Sequence, residues 1–343
     1  MSKINFWSNK NVFITGINGF VGGNLAEELV KRGANVFGLI RNINSNTYLF
    51  YMKIDSKIEI INGSLTNKEL LKGVFIENKI DICFHLAAQV EVGVAAEYPY
   101  LTWESNIRGT YSLLEAIRES NANLSAIVVA SSDKAYGEYP VDKLPYKEDY
   151  PLIPKYPYDT SKACSDLIAQ SYASDLFDMP LIITRFANIY GPGQLNFSAL
   201  IPDVIKCALK KDVFKPRSDG KSKRDFLYVK DVAELYCIIA ENLVKNKSQL
   251  KGEIFNAGTN EEKSVREVVE SVYKILNNEK ELNKIIDRFN NVPSTPEGEI
   301  SVQSMDYNKV KSYFGWEPRT NFQDGLNKTI EWYNTFLLNE NRI

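Results

Sequence analysis

The sequence predicts an α/β fold built on a doubly wound parallel sheet, and three observations support it. Short apolar runs of strand length alternate with helical stretches through the first half of the chain. The first run opens straight into a glycine turn and then a helix. A later run, Ala126-Ile127-Val128-Val129-Ala130, ends in Ser131-Ser132-Asp133-Lys134. That sets a hydroxyl, a carboxylate and an amine at the mouth of a strand, where open α/β sheets hold their ligands. The 343 residues, 44% of them hydrophobic and 24% charged, suit one large domain with a smaller appendage.

Taken in order, Asn11 to Thr15 is the first strand, followed by Gly16-Ile17-Asn18-Gly19-Phe20-Val21-Gly22. A helix then runs from about Phe20 to Arg32, with Leu25, Leu29 and Val30 at helical spacing and Gly33 as its stop. The glycines let the backbone approach a pyrophosphate, and the helix N-terminus offers it N–H groups and a positive dipole end. Gly16, Asn18, Gly19, Phe20, Val21 and Gly22 are therefore the candidate cofactor cradle of a Rossmann-type domain. Their G-x-x-G-x-x-G spacing resembles that of the short-chain dehydrogenase/reductase superfamily.

The second strand, Asn35 to Ile40, ends in Arg41-Asn42, with no acid to hold a ribose 2′-hydroxyl. Arg41 suits a 2′-phosphate instead, so the expected cofactor is NAD(P), leaning to NADP; the alternative is a solvated surface arginine. A third strand near Lys57 to Ile61 leads to Ser64-Leu65. The superfamily resemblance makes both cofactor contacts, although related enzymes usually carry an aspartate where Ser64 stands. The fourth strand, Asp81 to Leu86, enters His85-Leu86-Ala87-Ala88-Gln89. Leu86, Ala87 and Ala88 let the backbone pass close to the cofactor, Gln89 is a candidate substrate contact, and His85 is expected to be a packed strand-end residue. A long helical segment from about Tyr100 to Ser120 carries Asn106 and Gly109. After the Ala126 to Ala130 strand, Pro140, Pro145, Pro151, Pro154 and Pro157 predict an ordered lid. A helix from Tyr158 to about Phe177 and a sixth strand from Leu181 to Phe186 complete the larger domain. The expected boundaries are 1–187 for cofactor and 188–343 mainly for substrate, with some return of chain to the first domain.

Composition excludes several functions. Net charge is −2, from 41 basic and 43 acidic residues, which argues against a general nucleic-acid or anionic-membrane surface. The widely spaced Cys83, Cys164, Cys207 and Cys237 fit buried free thiols, with no metal or disulfide role. His85 is the only histidine, which leaves Ser-His-Asp hydrolysis and multi-histidine metal sites little to work with. No signal core stands in Met1 to Lys10 and no run approaches the ~18 apolar residues of a membrane span, so a cytoplasmic enzyme is expected.

Tyr158-Asp159-Thr160-Ser161-Lys162 is a Y-x-x-x-K, whose phenol and ammonium share one helix face. A close lysine cation and an oxidised nicotinamide both favour the phenolate; a shift of about 3 pKa units needs roughly 4 kcal/mol. Glycine turn, H-L-A-A, S-S, Y-x-x-x-K and R-F-x-N-x-Y-G-P together resemble an extended short-chain dehydrogenase/reductase acting on a nucleotide sugar. The resemblance continues in Arg217-Ser218-Asp219-Gly220, Arg224-Asp225-Phe226, Phe255-Asn256-Ala257-Gly258 and Phe314-Gly315-Trp316-Glu317-Pro318. The Ser-Asp-Lys-x-Tyr stretch is most similar to that of CDP-glucose 4,6-dehydratases, and UDP-N-acetylglucosamine 4,6-dehydratases also carry Asp-Lys there.

The resemblance implies roles. Tyr158, with Ser132 and Lys162, would drive hydride transfer from C4′ to the nicotinamide. Lys134 would remove the C5 proton and Asp133 would donate to the departing C6 oxygen. Tyr158 and Lys162 would also touch the cofactor, which is tightly bound and recycled. Gln89, Ser132, Asn188, Arg217 and Arg224 would hold the nucleotide-diphosphate sugar, with Arg185 as an additional diphosphate contact. A UDP-N-acetylglucosamine or GDP-hexose substrate stays open. So do a 4-epimerase on the same scaffold and a non-catalytic cofactor-binding protein, while Asp133 and Lys134 have the alternative of a surface ion pair. Relatives pair through the Tyr100–Ser120 and Tyr158 helices, so a homodimer or higher homo-oligomer is expected.

Overall fold

The computed structural model describes residues 5–292 and 300–339; Met1–Ile4, part of the stretch read for a signal core, lie outside them. The strands in chain order are β1 (Asn11–Thr15), β2 (Asn35–Ile40), β3 (Glu59–Asn62), β4 (Ile82–His85), β5 (Ala126–Ala130), β6 (Leu181–Phe186), β7 (Asn188–Tyr190), β8 (Lys223–Tyr228), β9 (Ile254–Ala257), β10 (Glu262–Ser264) and β11 (Val302–Gln303). Seven of them form one sheet in the order β3-β2-β1-β4-β5-β6-β9, with every neighbouring pair parallel.

These strands read as continuous apolar runs because both faces of the sheet are covered. Val12 and Ile14 of β1, Ile82 and Phe84 of β4, and Ala126 and Val128 of β5 pack on one face against the Phe20–Lys31 and Val229–Lys245 helices. Phe13, Cys83, Ile127 and Val129 take the other face, under the Lys68–Glu77, Gly109–Ser120 and Pro157–Ala173 helices. Side-chain alternation along each strand thus feeds two separate cores.

The smaller lobe is arranged around β8, which pairs antiparallel with β10 and parallel with β7 and β11. Its core joins Ile201, Val204 and Ile205 to Val268, Val269 and Val272, and both to Leu326, Ile330 and Tyr333 of the last helix. The chain does not stay in this lobe. The Val229–Lys245 helix and β9 return to the large sheet, where β9 pairs with β6 from Ile183↔Ile254 to Phe186↔Ala257.

Three elements differ from expectation. β3 begins at Glu59, because Asp55–Lys57 curl into a 3₁₀ turn. The helix expected to reach Phe177 stops at Ala173, where Ser174 turns to extended backbone with ψ 166. The Tyr100–Ser120 rod is helical throughout but contains a π-turn at Glu104–Arg108, between the Pro99–Trp103 and Gly109–Ser120 segments.

The proline-rich stretch is ordered, as expected. Tyr136 stacks on Tyr146 at 4.8 Å and Tyr139 on Tyr150 at 5.2 Å, and Tyr146 donates to the Gly137 carbonyl at 2.7 Å. All four cysteines are free thiols, but only Cys83 and Cys237 are fully buried. Among the described residues no group of three or more His, Cys, Asp or Glu side chains could hold a metal, and no helix is long and apolar enough to cross a membrane.

Candidate active site

A parallel sheet delivers all its strand ends to one edge, and the candidate residues follow those ends. Gly16 follows β1, Arg41 follows β2, Ser64 and Leu65 follow β3, Leu86 to Gln89 follow β4, Ser132 to Lys134 follow β5, and Asn188 follows β6. The crevice outside these carboxyl ends is where such sheets bind ligands.

At the first strand end the backbone turns at Gly16, with φ +75, and a Cβ there would stand 2.7 Å from the Ala87 nitrogen. A Cβ on Gly22 would stand 2.2 Å from the Gly16 carbonyl oxygen, so the Phe20–Lys31 helix can press on the turn only without side chains. No side chain caps this helix, which leaves its first N–H groups, at Phe20 and Val21, open to an anion. These residues fit a dinucleotide pyrophosphate. The Asn18 side chain accepts from Thr47 Oγ1 at 2.6 Å, tying the turn to the loop after β2. Arg41 is exposed in that loop. Ser64 Oγ meets Thr66 Oγ1 at 2.9 Å, and Leu65 lies against Gly109.

His85 is a packing residue, as expected. Thr110 Oγ1 gives its proton to the Asn106 carbonyl at 2.6 Å, so it accepts from His85 Nε2 at 2.9 Å. Nδ1 then accepts from Thr15 Oγ1 at 2.8 Å. The imidazole is neutral, its pKa pushed down to about 3 by burial and by the Lys162 charge.

Gln89 and Asn106 form a second bridge. Asn106 Oδ1 accepts from the Gln89 backbone nitrogen at 2.7 Å, while its amide donates to the Gln89 carbonyl at 3.0 Å and to Ser161 Oγ at 2.9 Å. The Gln89 side chain accepts from Thr102 Oγ1 at 3.1 Å and donates to the Glu91 carbonyl at 3.0 Å.

Ser132 caps a 3₁₀ turn over Asp133–Tyr136, accepting from the Lys134 nitrogen. Its hydroxyl donates to Asp133 Oδ1 at 2.9 Å. Asp133 is 4% exposed, unlike a partner in a surface ion pair. Its Oδ2 accepts from Gln303 Nε2 at 3.1 Å and from Asn188 Nδ2 at 3.5 Å. Burial pushes the Asp133 pKa up, against the charges of Lys134 and Arg224 and the hydrogen bond from Ser132. A raised pKa is what a general acid needs.

Tyr158 and Lys162 are both buried. Lys162 Nζ donates to the Ala130 carbonyl at 2.7 Å, and burial brings its pKa down to about 8. Tyr158 departs from expectation. Burial, with Asp133 and Asp159 adding to it, raises its phenol pKa, and only a hydrogen bond with Ser132 works the other way. The Lys162 ammonium is committed to a carbonyl, and carboxylates are the charges felt at the phenol.

Arg185 is a correction. Its guanidinium grips Asp166 at 2.8 and 2.9 Å, donates to Tyr136 OH at 2.9 Å and is buried. It locks β6 to the Pro157–Ala173 helix, and its guanidinium is taken up by that contact. Arg217 stands apart from the carboxyl cluster, exposed, and donates to the Ser198 carbonyl at 3.1 Å. Arg224 is buried on β8, donates to the Lys223 carbonyl at 2.8 Å, and its charge is felt at Asp133.

Two neighbours of the site were not among the candidates. Asp159, inside the Y-x-x-x-K, is buried, and burial raises its pKa to about 6, with Lys134 opposing and Asp133 adding. Its signal was its place beside Tyr158. Gln303 has no local signal, since a lone glutamine on a two-residue strand carries no pattern.

The chain is similar over residues 13–329 to the family model for GDP-mannose 4,6 dehydratase. It is 31% identical to the human dTDP-D-glucose 4,6-dehydratase, covering 94% of this chain and 90% of that one. It is 30% identical to a trifunctional UDP-glucose 4,6-dehydratase/3,5-epimerase/reductase of Arabidopsis thaliana, covering 95% of this chain. The match spans only 47% of that longer protein. Among solved structures, dTDP-glucose 4,6-dehydratase of Bacillus anthracis in complex with NAD superposes with a TM-score of 0.80 at 26% identity, over 95% of this chain and 97% of that one. With the strand-end site and these similarities together, the chain belongs to the GDP-mannose 4,6-dehydratase family of extended short-chain dehydrogenase/reductases.

Proposed function

We propose that this chain is a cytoplasmic nucleotide-sugar 4,6-dehydratase that converts an NDP-hexose, CDP-glucose first among them, to the 4-keto-6-deoxy sugar. The observation that carries this reading is the buried Asp133, paired with Ser132 and followed by Lys134, at the strand end facing Tyr158 and Lys162. An epimerase needs no such carboxyl, because it moves no water.

Tyr158 takes the proton of the sugar 4′-hydroxyl, with Ser132 bonding the same oxygen. Because burial and the neighbouring carboxylates raise the phenol pKa, the positive charge of an oxidised nicotinamide would have to favour the phenolate. The glycine turn from Gly16 to Gly22 would hold a nicotinamide dinucleotide, which would supply reversible hydride acceptance beside the sugar. The ketone at C4′ acidifies the C5′ hydrogen, which Lys134 removes in its neutral amine form. Asp133, whose pKa burial raises, donates its proton to the C6′ oxygen so that water leaves. Asn188, Arg224, Arg217 and Gln89 hold the nucleotide diphosphate and the sugar. Arg41 favours NADP over NAD in this chain, although the Bacillus anthracis relative was solved with NAD. The active form is a homodimer or a higher homo-oligomer.

The test is a panel of nucleotide hexoses incubated with purified enzyme. The expected product is one water lighter than its substrate, with CDP-glucose turned over fastest. Asp133→Asn is expected to slow water loss by about 10²-fold or more, and Tyr158→Phe to abolish turnover. A product of unchanged mass makes the chain an epimerase instead.

A further inference from the structure

Gln303 is 1% exposed on β11, and its amide nitrogen donates to Asp133 Oδ2 at 3.1 Å. Its amide oxygen is buried without a hydrogen-bond partner. Buried polar atoms are nearly always paired, so one left unpaired calls for an explanation. A methionine or leucine would fill the same place on the strand and leave no orphan acceptor. What accounts for the amide here is the carboxyl it faces.

That carboxyl is held from two lobes. Ser132 donates to Oδ1 at 2.9 Å from the end of β5. Gln303 reaches Oδ2 from β11, where it is in register with Arg224 of β8. Asn188 approaches the same oxygen at 3.5 Å. The charged and titratable groups facing Asp133 are Lys134 on its own turn, Arg224 on β8, Tyr158 and Asp159 on the Pro157–Ala173 helix, and Tyr146 of the proline-rich stretch. Gln303 is uncharged among them, and an amide offers N–H on one side and C=O on the other. Its N–H can donate to Oδ2 in the carboxylate and equally in the acid whose proton sits on Oδ1, which leaves that proton for the sugar.

We propose that Gln303 is a positioning residue for Asp133, keeping the carboxyl aimed at the sugar's C6′ oxygen before and after its proton leaves. The proposal rests on the reading of Asp133 as the acid. In that step Lys134 takes the C5′ proton and the freed electron pair forms the C5′–C6′ double bond. The C6′–O bond breaks with its electrons, and the Asp133 proton completes the departing water. Asp133 is left a carboxylate facing the Gln303 N–H.

The test is Gln303→Met in the holoenzyme under single turnover. Reduced nicotinamide rises with oxidation and decays with elimination and hydride return. The rise is expected to be unchanged and the decay to slow about tenfold, with KM held, because Gln303 acts through Asp133. The decay needs a protonated acid, so it falls as pH rises through the Asp133 pKa. Removing a donor to the carboxylate raises that pKa, so this limb moves to higher pH. A carboxyl-carbon NMR titration of Asp133 should shift upward in the same variant. Gln303→Glu preserves shape, and its decay should recover toward low pH as the new carboxyl gains a proton and donates in the amide's place.

A decay rate and limb unchanged in Gln303→Met overturn the proposal, as does a shifted titration with unchanged decay. Asp133→Asn separates the two ideas. If Asp133→Asn loses water at the normal rate, the assignment of the acid fails and the positioning role falls with it. If it is slow while Gln303→Met is normal, only the positioning role fails.

Discussion

At the end of β2 an arginine stands where a carboxylate would hold a ribose hydroxyl. A guanidinium favours a phosphate there and gains nothing from a bare 2′-hydroxyl. NADP is therefore expected to bind about 10- to 100-fold tighter than NAD, and Arg41→Ala to erase the difference, by titration calorimetry; a charge-assisted contact of this kind is worth about 1.5–3 kcal/mol. Equal affinities in the unaltered protein sink the NADP assignment. Arg41, Tyr158 and Lys162 were legible because each sits at a fixed offset from a pattern, a strand end or a helical Y-x-x-x-K. The direction of the Tyr158 shift was not legible. It depends on burial and on two carboxylates, Asp133 and Asp159, of which one comes from another strand end. Gln303 was invisible for a related reason: its partner lies 170 positions away in sequence.

The π-turn at Glu104–Arg108 shows what an element can hide from its periodicity. The sequence announced a helix there, but not that the turn widens, a feature that often marks functional sites. The Asn106 carbonyl in that turn accepts from Thr110 Oγ1 at 2.6 Å and Ser165 Oγ at 2.7 Å. The Asn106 amide fastens the backbone of Gln89 to the helix that carries Tyr158. Asn106→Leu leaves the Gln89 N–H and carbonyl without that partner and is expected to cost about 2–4 kcal/mol in urea denaturation, with slower turnover. A midpoint unchanged from the parent protein would remove Asn106 from this role. The first six strands were legible as short apolar runs, whereas β8 and β9 were not read as strands although both are largely buried. β11 and β10 were not, because two or three residues carry no period; their pairing with β8 is decided by the chain around them.

On the scale of the whole molecule, the helices from Pro99 to Ser120 and from Pro157 to Ala173 leave large apolar side chains outside. Tyr100 is 67%, Leu101 54% and Leu167 56% exposed, and Trp103 and Tyr111 are also accessible. Large apolar side chains left exposed on helices that pack together fit a protein contact, and a two-fold pairing of like helices is the simplest closed arrangement. Light scattering is expected to give two copies for the parent protein and one for Leu101→Glu combined with Trp103→Glu. A monomer at every concentration in the parent protein overturns the homodimer. The sequence placed a boundary near Ala187 and expected some return of chain, but not which elements return. Because β9 and the Val229–Lys245 helix finish the large sheet from far downstream, a nascent chain leaving the ribosome leaves one face only partly covered until that helix emerges, and the flank of β6 open until about residue 257. The nucleotide-binding half cannot mature ahead of its companion during synthesis. Any shortened gene product ending before that point is left with an open parallel edge ready to pair with a stranger.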